Sequence, residues 1–217
     1  MKNVMSYAIL NMVKVEGFIK EFFGKNLTKV ERQSQHKKDV ALKPFLDEFE
    51  VENLLKEAKK RGHQYYPIWA IALSTGIRNS ELQALKWEDV DMGKGTINVV
   101  RYMNKNNNRY EMFHTGCSRK ISITPFVREI LLELRNSSTS EFVLPRIKSW
   151  VAGYNSQIFK LFLKEIGIKD VSANSLRQSW ATMELKNSVP CNEAKRLLEL
   201  HQKATANTYK KNLNSIK

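Results

Sequence analysis

A mostly helical α+β fold with one small antiparallel sheet is what this sequence predicts, on three observations. Apolar residues recur at helical spacing through most of the chain. One central stretch switches to β-branched and alternating segments. Glycines and prolines stand where those helices would end or begin.

Taken in order, the first forty residues read as a helix with Ile9, Met12, Val13 and Phe18 on its apolar face, followed by a polar linker over 26–38. That unpatterned stretch is the expected boundary between a segment 1–40 and a domain 41–217. Val51, Leu54, Leu55 and Ala58 then repeat at i, i+3, i+4, i+7, an amphipathic helix that Gly62 ends. PIWAIALS at 67–74 is nearly all apolar and reads as a buried helix broken by Gly76. Leu82 and Leu85 mark a short helix from which Glu81 and Gln83 are expected to point elsewhere. Gly93-Lys94-Gly95 is a turn, and Thr96 to Val100 is strand-like. KNNNR at 105–109 is a polar turn cluster, and RKISIT at 119–124 alternates as a second, half-buried strand. Thr124 and Pro125 supply an N-cap and a first-turn proline for a helix through Phe126, Ile130, Leu131 and Leu134. Further helices are expected at 154–166, 174–186, 190–200 and 204–211.

Composition limits what such a fold can do. The chain has 217 residues, 36 Lys+Arg against 22 Asp+Glu, and a formal charge of +14. Its 42% hydrophobic content suits a globular core and excludes wholesale disorder. No apolar run approaches twenty residues, which gives no spanning helix and no membrane partner, and no signal peptide is legible at the N-terminus. Cys117 and Cys191 are too few for a disulfide framework and lack zinc-ligand spacing. A cytoplasmic protein with a polyanionic partner, nucleic acid first, is the working class. No phosphate loop, HExxH, paired CxxC or serine elbow occurs, and the histidines at 36, 63, 114 and 201 are scattered, so no cofactor or metal is expected.

Three segments carry chemistry. STGIRNSEL at 74–82, continued by Leu85 and WEDVD at 87–91, puts Arg78 just after a helix-ending glycine and at the start of the next helix. Free N–H groups and the helix dipole favour an anion there. SANSLRQSWAT at 172–182 places Arg177 early in another helix, so two guanidinium forks can hold one phosphate. KATANTYKK at 203–211 carries Tyr209 on a polar C-terminal helix; taken alone it reads as a packing residue.

In this order and spacing the three segments resemble the tyrosine recombinases, the phage-integrase family. Residues 74–91 are close to that family's first arginine box, NSLRQSWAT resembles its H-x-L-R-H-x-x-A-T box, and LLELHQKATANTY at 197–209 resembles its closing box. The resemblance implies a recombinase catalytic domain over 41–217 that cuts and rejoins double-stranded DNA without a cofactor. Tyr209 would attack the scissile phosphate and store its bond energy as a 3′-phosphotyrosyl link. Arg78 and Arg177 would neutralise the charge that builds in the transition state. Family members act as tetramers on DNA, which implies homo-oligomerisation or a full-length recombinase partner.

Several helper positions depart from the family pattern. Its histidine before the second arginine is Asn174 here, which keeps hydrogen bonding but not proton exchange near neutrality. Its histidine after that arginine is Gln178. The His or Trp nine residues before the tyrosine falls on Leu200, with His201 one place later. The hairpin lysine aligns with His114, with Lys105 and Lys120 as neighbouring alternatives. Lys105, Arg119 and Lys120 are expected DNA contacts. Residues 1–40 supply only a remnant of the helical clamp that precedes the catalytic domain in the family. A second reading therefore keeps the fold as a DNA-binding protein or mobile-element remnant with impaired catalysis. A third, an unrelated basic nucleic-acid module, requires the match at 74–91 to be accidental.

Overall fold

The computed structural model describes residues 45–104, 106–114 and 118–186. The expected helices at 1–40, 190–200 and 204–211 lie outside the described residues, as do Lys105, His201 and Tyr209.

Helix α1, Glu48–Lys60, opens on a capping box: Asp47 accepts from the Glu50 N–H at 3.0 Å and Glu50 accepts from the Asp47 N–H at 2.8 Å. Its buried stripe is Val51, Leu54, Leu55 and Ala58. Helix α2, Tyr66–Thr75, is buried along nearly its whole circumference, which is why its sequence shows no polar face. It packs against α1, against α4 (Pro125–Ser137) and against α7 (Ser175–Lys186), and so forms the axis of the domain. Gly76 ends it at φ +63°, where a left-handed residue closes the helix. The short helix α3, Asn79–Ala84, follows at once.

Strand β1, Val90–Asp91, pairs antiparallel with β2, Thr96–Val99, which pairs in turn with β5, Arg119–Ser122. The register sets Val99 opposite Arg119 and Ile97 opposite Ile121. Against the single sheet expected, the described residues build two. Strands β3, Arg101–Asn104, and β4, Arg109–Met112, form a separate antiparallel hairpin. Asn106, Asn107 and Asn108 lie in its turn, with Asn108 at φ +54°, a conformation asparagine tolerates. Two short helices, α5 (Lys148–Val151) and α6 (Asn155–Glu165), lead into α7. Trp69, Trp150, Phe159 and Leu163 are fully buried in the single core that these layers enclose.

Candidate phosphate-binding site

The first arginine box is a helix end, a turn and a helix start, and each part has a structural duty. A Cβ on Gly76 would collide with the indole of Trp180, so α2 and α7 approach as closely as a bare Cα allows. The Gly76 carbonyl accepts a hydrogen bond from Nη1 of Arg177. One glycine therefore joins the first arginine segment to the second, 101 residues along the chain.

Arg78 caps α3 in extended conformation, and its side chain is 46% exposed. Beneath it lies Glu81, whose side chain is 1% exposed. Glu81 accepts from the Arg78 N–H at 2.8 Å and from Arg78 Nη1 at 3.0 Å. Arg119 reaches the same carboxylate with both nitrogens, Nη1 to Oε1 at 2.9 Å and Nη2 to Oε2 at 2.7 Å. Burial pushes the Glu81 carboxyl up, but the hydrogen bonds and charge of Arg119, joined by those of Arg78, bring it below the ordinary carboxylate range. Glu81 and Gln83, expected to point away, are thus corrected to the interior. Gln83 donates to the Trp150 carbonyl at 2.9 Å, and Arg146 donates to the Gln83 carbonyl at 2.8 Å. Their partners are 38 to 67 residues distant, and no local periodicity signals them. The R-x-x-E spacing of Arg78 and Glu81 is the one local clue.

A cavity of about 410 Å³ opens beside Arg78. Arg78, Arg177, Asn174 and Gln178 all line it, together with Asn79, Ser80, Asn155 and Ser156. Asn79 is held by two donors, Trp150 Nε1 at 2.8 Å and Asn155 Nδ2 at 3.0 Å. The rim is thereby fixed by amides while the two guanidinium groups supply the charge. Such a cavity can hold a tetrahedral oxyanion with several donors and no metal.

The remaining site residues fall elsewhere. His114 is exposed at the end of the β4 segment, and its charge contributes to keeping Glu111 below the ordinary carboxylate range, after the hydrogen bonds from Tyr102, Asn107 and Asn104. Lys120 is exposed on the outward face of β5. Arg119, expected on a DNA face, is turned inward by the same two-residue alternation and is 18% exposed. The tail of the first box is structural: Asp89 is buried, accepts from the Lys86 N–H at 2.9 Å and pairs with Arg101 at 3.2 Å. Among the described residues, no three His, Cys, Asp or Glu side chains cluster as a metal site, and no helix is long and apolar enough to cross a membrane.

A family model described as "Phage integrase family" matches residues 44–215. A XerD-like tyrosine recombinase of Streptococcus thermophilus is 24% identical over 139 residues, covering 64% of this chain and 49% of that protein. A XerC-like tyrosine recombinase of Caldanaerobacter subterraneus is 25% identical over 205 residues, covering 81% and 52%. The chain thus spans about half the length of these curated relatives. Among solved structures, the Tn1549 transposon integrase in complex with circular intermediate DNA superposes with a TM-score of 0.59 at 17% identity, covering 72% of this chain and 58% of that one. That likeness is one of fold.

Proposed function

This chain belongs to the phage integrase family, and from that membership we propose that it performs site-specific recombination or integration of double-stranded DNA for a mobile element. The supporting observation is the convergence of Arg78 and Arg177 on one cavity of about 410 Å³. Chain segments a hundred residues apart meet there, and two guanidinium groups on one cavity are the donors a phosphate would use.

In this reading the scissile phosphate occupies the cavity, with Arg78 and Arg177 on its non-bridging oxygens. Asn174, exposed on the cavity wall, donates a neutral hydrogen bond where the family carries an imidazole. The Tyr209 phenol attacks in line. Its oxygen bonds to phosphorus as the phenolic proton leaves to a base or solvent, the bond from phosphorus to the 5′-oxygen breaks, and the released 5′-oxygen takes up a proton to become a hydroxyl. A phenol with an ordinary pKa of about 10 needs a strong positive field to react near neutrality, and the two guanidinium groups provide it. His201 accepts or stabilises charge beside the nucleophile, and His114 or one of Lys105 and Lys120 protonates the leaving oxygen. A 5′-hydroxyl from a second duplex reverses the step and rejoins the strands, so no nucleotide or metal enters the balance. Residues 41–217 act as the catalytic domain, and 1–40 lead into it. The active species is a homo-oligomer on DNA or a mixed assembly with a full-length recombinase, working in the cytoplasm.

A nicked suicide duplex with a randomised core tests this whatever the target sequence. Loss of the short cut end traps a covalent protein–DNA adduct in the parent protein, and Tyr209→Phe abolishes it. No adduct at any pH or salt concentration would sink the reading and leave a DNA-binding protein of the same fold.

A further inference from the structure

Arg119 stands beside the site without lining it, and its geometry assigns it a duty of its own. It is 18% exposed, and both of its terminal nitrogens are directed at the two oxygens of Glu81. Strand pairing fixes it there: opposite Val99 in the register, it faces the interior, while the next residue, Lys120, faces solvent.

Charge balance explains why three ionised groups meet. Glu81 holds Arg78 in place through both the backbone N–H and Nη1. A carboxylate paired with Arg78 alone would cancel the charge that an anion in the cavity has to feel. With Arg119 bound through a bidentate fork, the Glu81–Arg119 pair is neutral and the triad keeps one net positive charge. That charge resides on the group with the greatest exposure, Arg78 at 46%. A guanidinium, with its rigid two-nitrogen fork, can occupy both carboxylate oxygens at once, whereas an ammonium cannot.

We propose that Arg119 is a positioning residue for Arg78: by neutralising the buried Glu81 carboxylate, it lets that carboxylate orient Arg78 without quenching it. This differs from a DNA contact, which the place of Arg119 beside Lys120 in the sequence first suggests. Its consequence for strand cleavage rests on the reading of the cavity as a scissile-phosphate site, whereas its consequence for Glu81 does not.

Two measurements on the full chain test it separately. Carboxyl ¹³C NMR of Glu81 in the parent protein should show a titration midpoint below that of an ordinary glutamate, and Arg119→Gln should raise it. An ordinary or raised midpoint in the parent would overturn the proposal, even if no variant folds. In single-turnover adduct formation, Arg119→Gln should slow cleavage about tenfold to a hundredfold at saturating duplex. Its affinity for the same duplex and the salt dependence of that affinity should stay as in the parent. Arg119→Lys should recover part of the rate, and Glu81→Gln combined with Arg119→Gln should recover more than Arg119→Gln alone. A loss of affinity with a salt slope shallower by about one, at unchanged saturating rate, would make Arg119 a phosphate contact and overturn the proposal. If the parent itself forms no adduct, the functional reading fails and the Glu81 titration alone decides this one.

Discussion

Trp180 lays its indole against the Cα of Gly76, filling the space a side chain there would need, while Arg177 from the same helix donates to the Gly76 carbonyl. The glycine is therefore fixed by three demands at once: a positive φ, a close approach and an unobstructed carbonyl.

Gly76→Ala should destabilise the protein by roughly 2–4 kcal/mol, from left-handed strain together with overpacking against Trp180. Chemical denaturation followed by tryptophan fluorescence measures this. Gly62 has nearly the same φ, +59°, but open space around its Cα. Gly62→Ala should cost only the strain, about 1 kcal/mol, and equal losses at the two sites would mean that the Trp180 contact is unimportant.

Arg78→Lys should separate function from folding. The side chain is nearly half exposed, and Glu81 keeps both bonds from Arg119 when it is changed. The unfolding free energy should move by less than about 1 kcal/mol, while adduct formation falls about a hundredfold or more. Arg177→Lys should lose both, since that guanidinium also ties α7 to the end of α2.

Glu81 makes stability depend on acid. Its folded-state carboxyl lies below the ordinary value, so its contribution is complete above about pH 4.5 and is lost as pH falls through the lower folded value. The difference in stability between the parent and Glu81→Gln should thus shrink steadily below pH 4.5. At neutral pH that variant should cost about 3–5 kcal/mol, because two arginines lose a buried counter-charge. A pH-independent difference would show that Glu81 is not ionised in the folded protein.

Asn174→His should add an inflection near pH 6.5 to the pH–rate profile of adduct formation, beyond any that His114 and His201 give the parent, since imidazole titrates there and an amide does not. Asn174→Ala should lower the rate about tenfold without changing the profile's shape. A parent profile that already carries the same inflection, unchanged in Asn174→His, would remove Asn174 from the site.

Much of this arrangement is legible in the sequence where the determining signal is local. Gly62, Gly76, Thr124 and Pro125 mark helix ends by their own backbone preferences, and the chain obeys them. The two arginine boxes point to one site because their order and spacing are family features, and Arg78 and Arg177 do share one cavity. The hairpin of β3 and β4 is hidden because only Met103 of its strands is buried. Its stability comes from ladder pairing and from polar links such as Tyr102 to Glu111 at 2.6 Å, which leave no apolar alternation to read. Glu81 and Gln83 are hidden for a related reason. A polar residue on a short helix defaults to solvent until its buried partners are known, and those partners come from β5 and α5.

The tie between the Gly76 carbonyl and Arg177 also sets an order of events in the living cell. During translation Arg78 emerges from the ribosome about a hundred residues ahead of Arg177, and a nascent chain that ends between them holds one jaw of the clamp. Synthesis and folding proceed from the N-terminal side, so the pair closes only when α7 docks on α2. A nascent chain that stops short of Arg177 therefore carries Arg78 and Glu81 without the second wall of the cavity that α7 supplies.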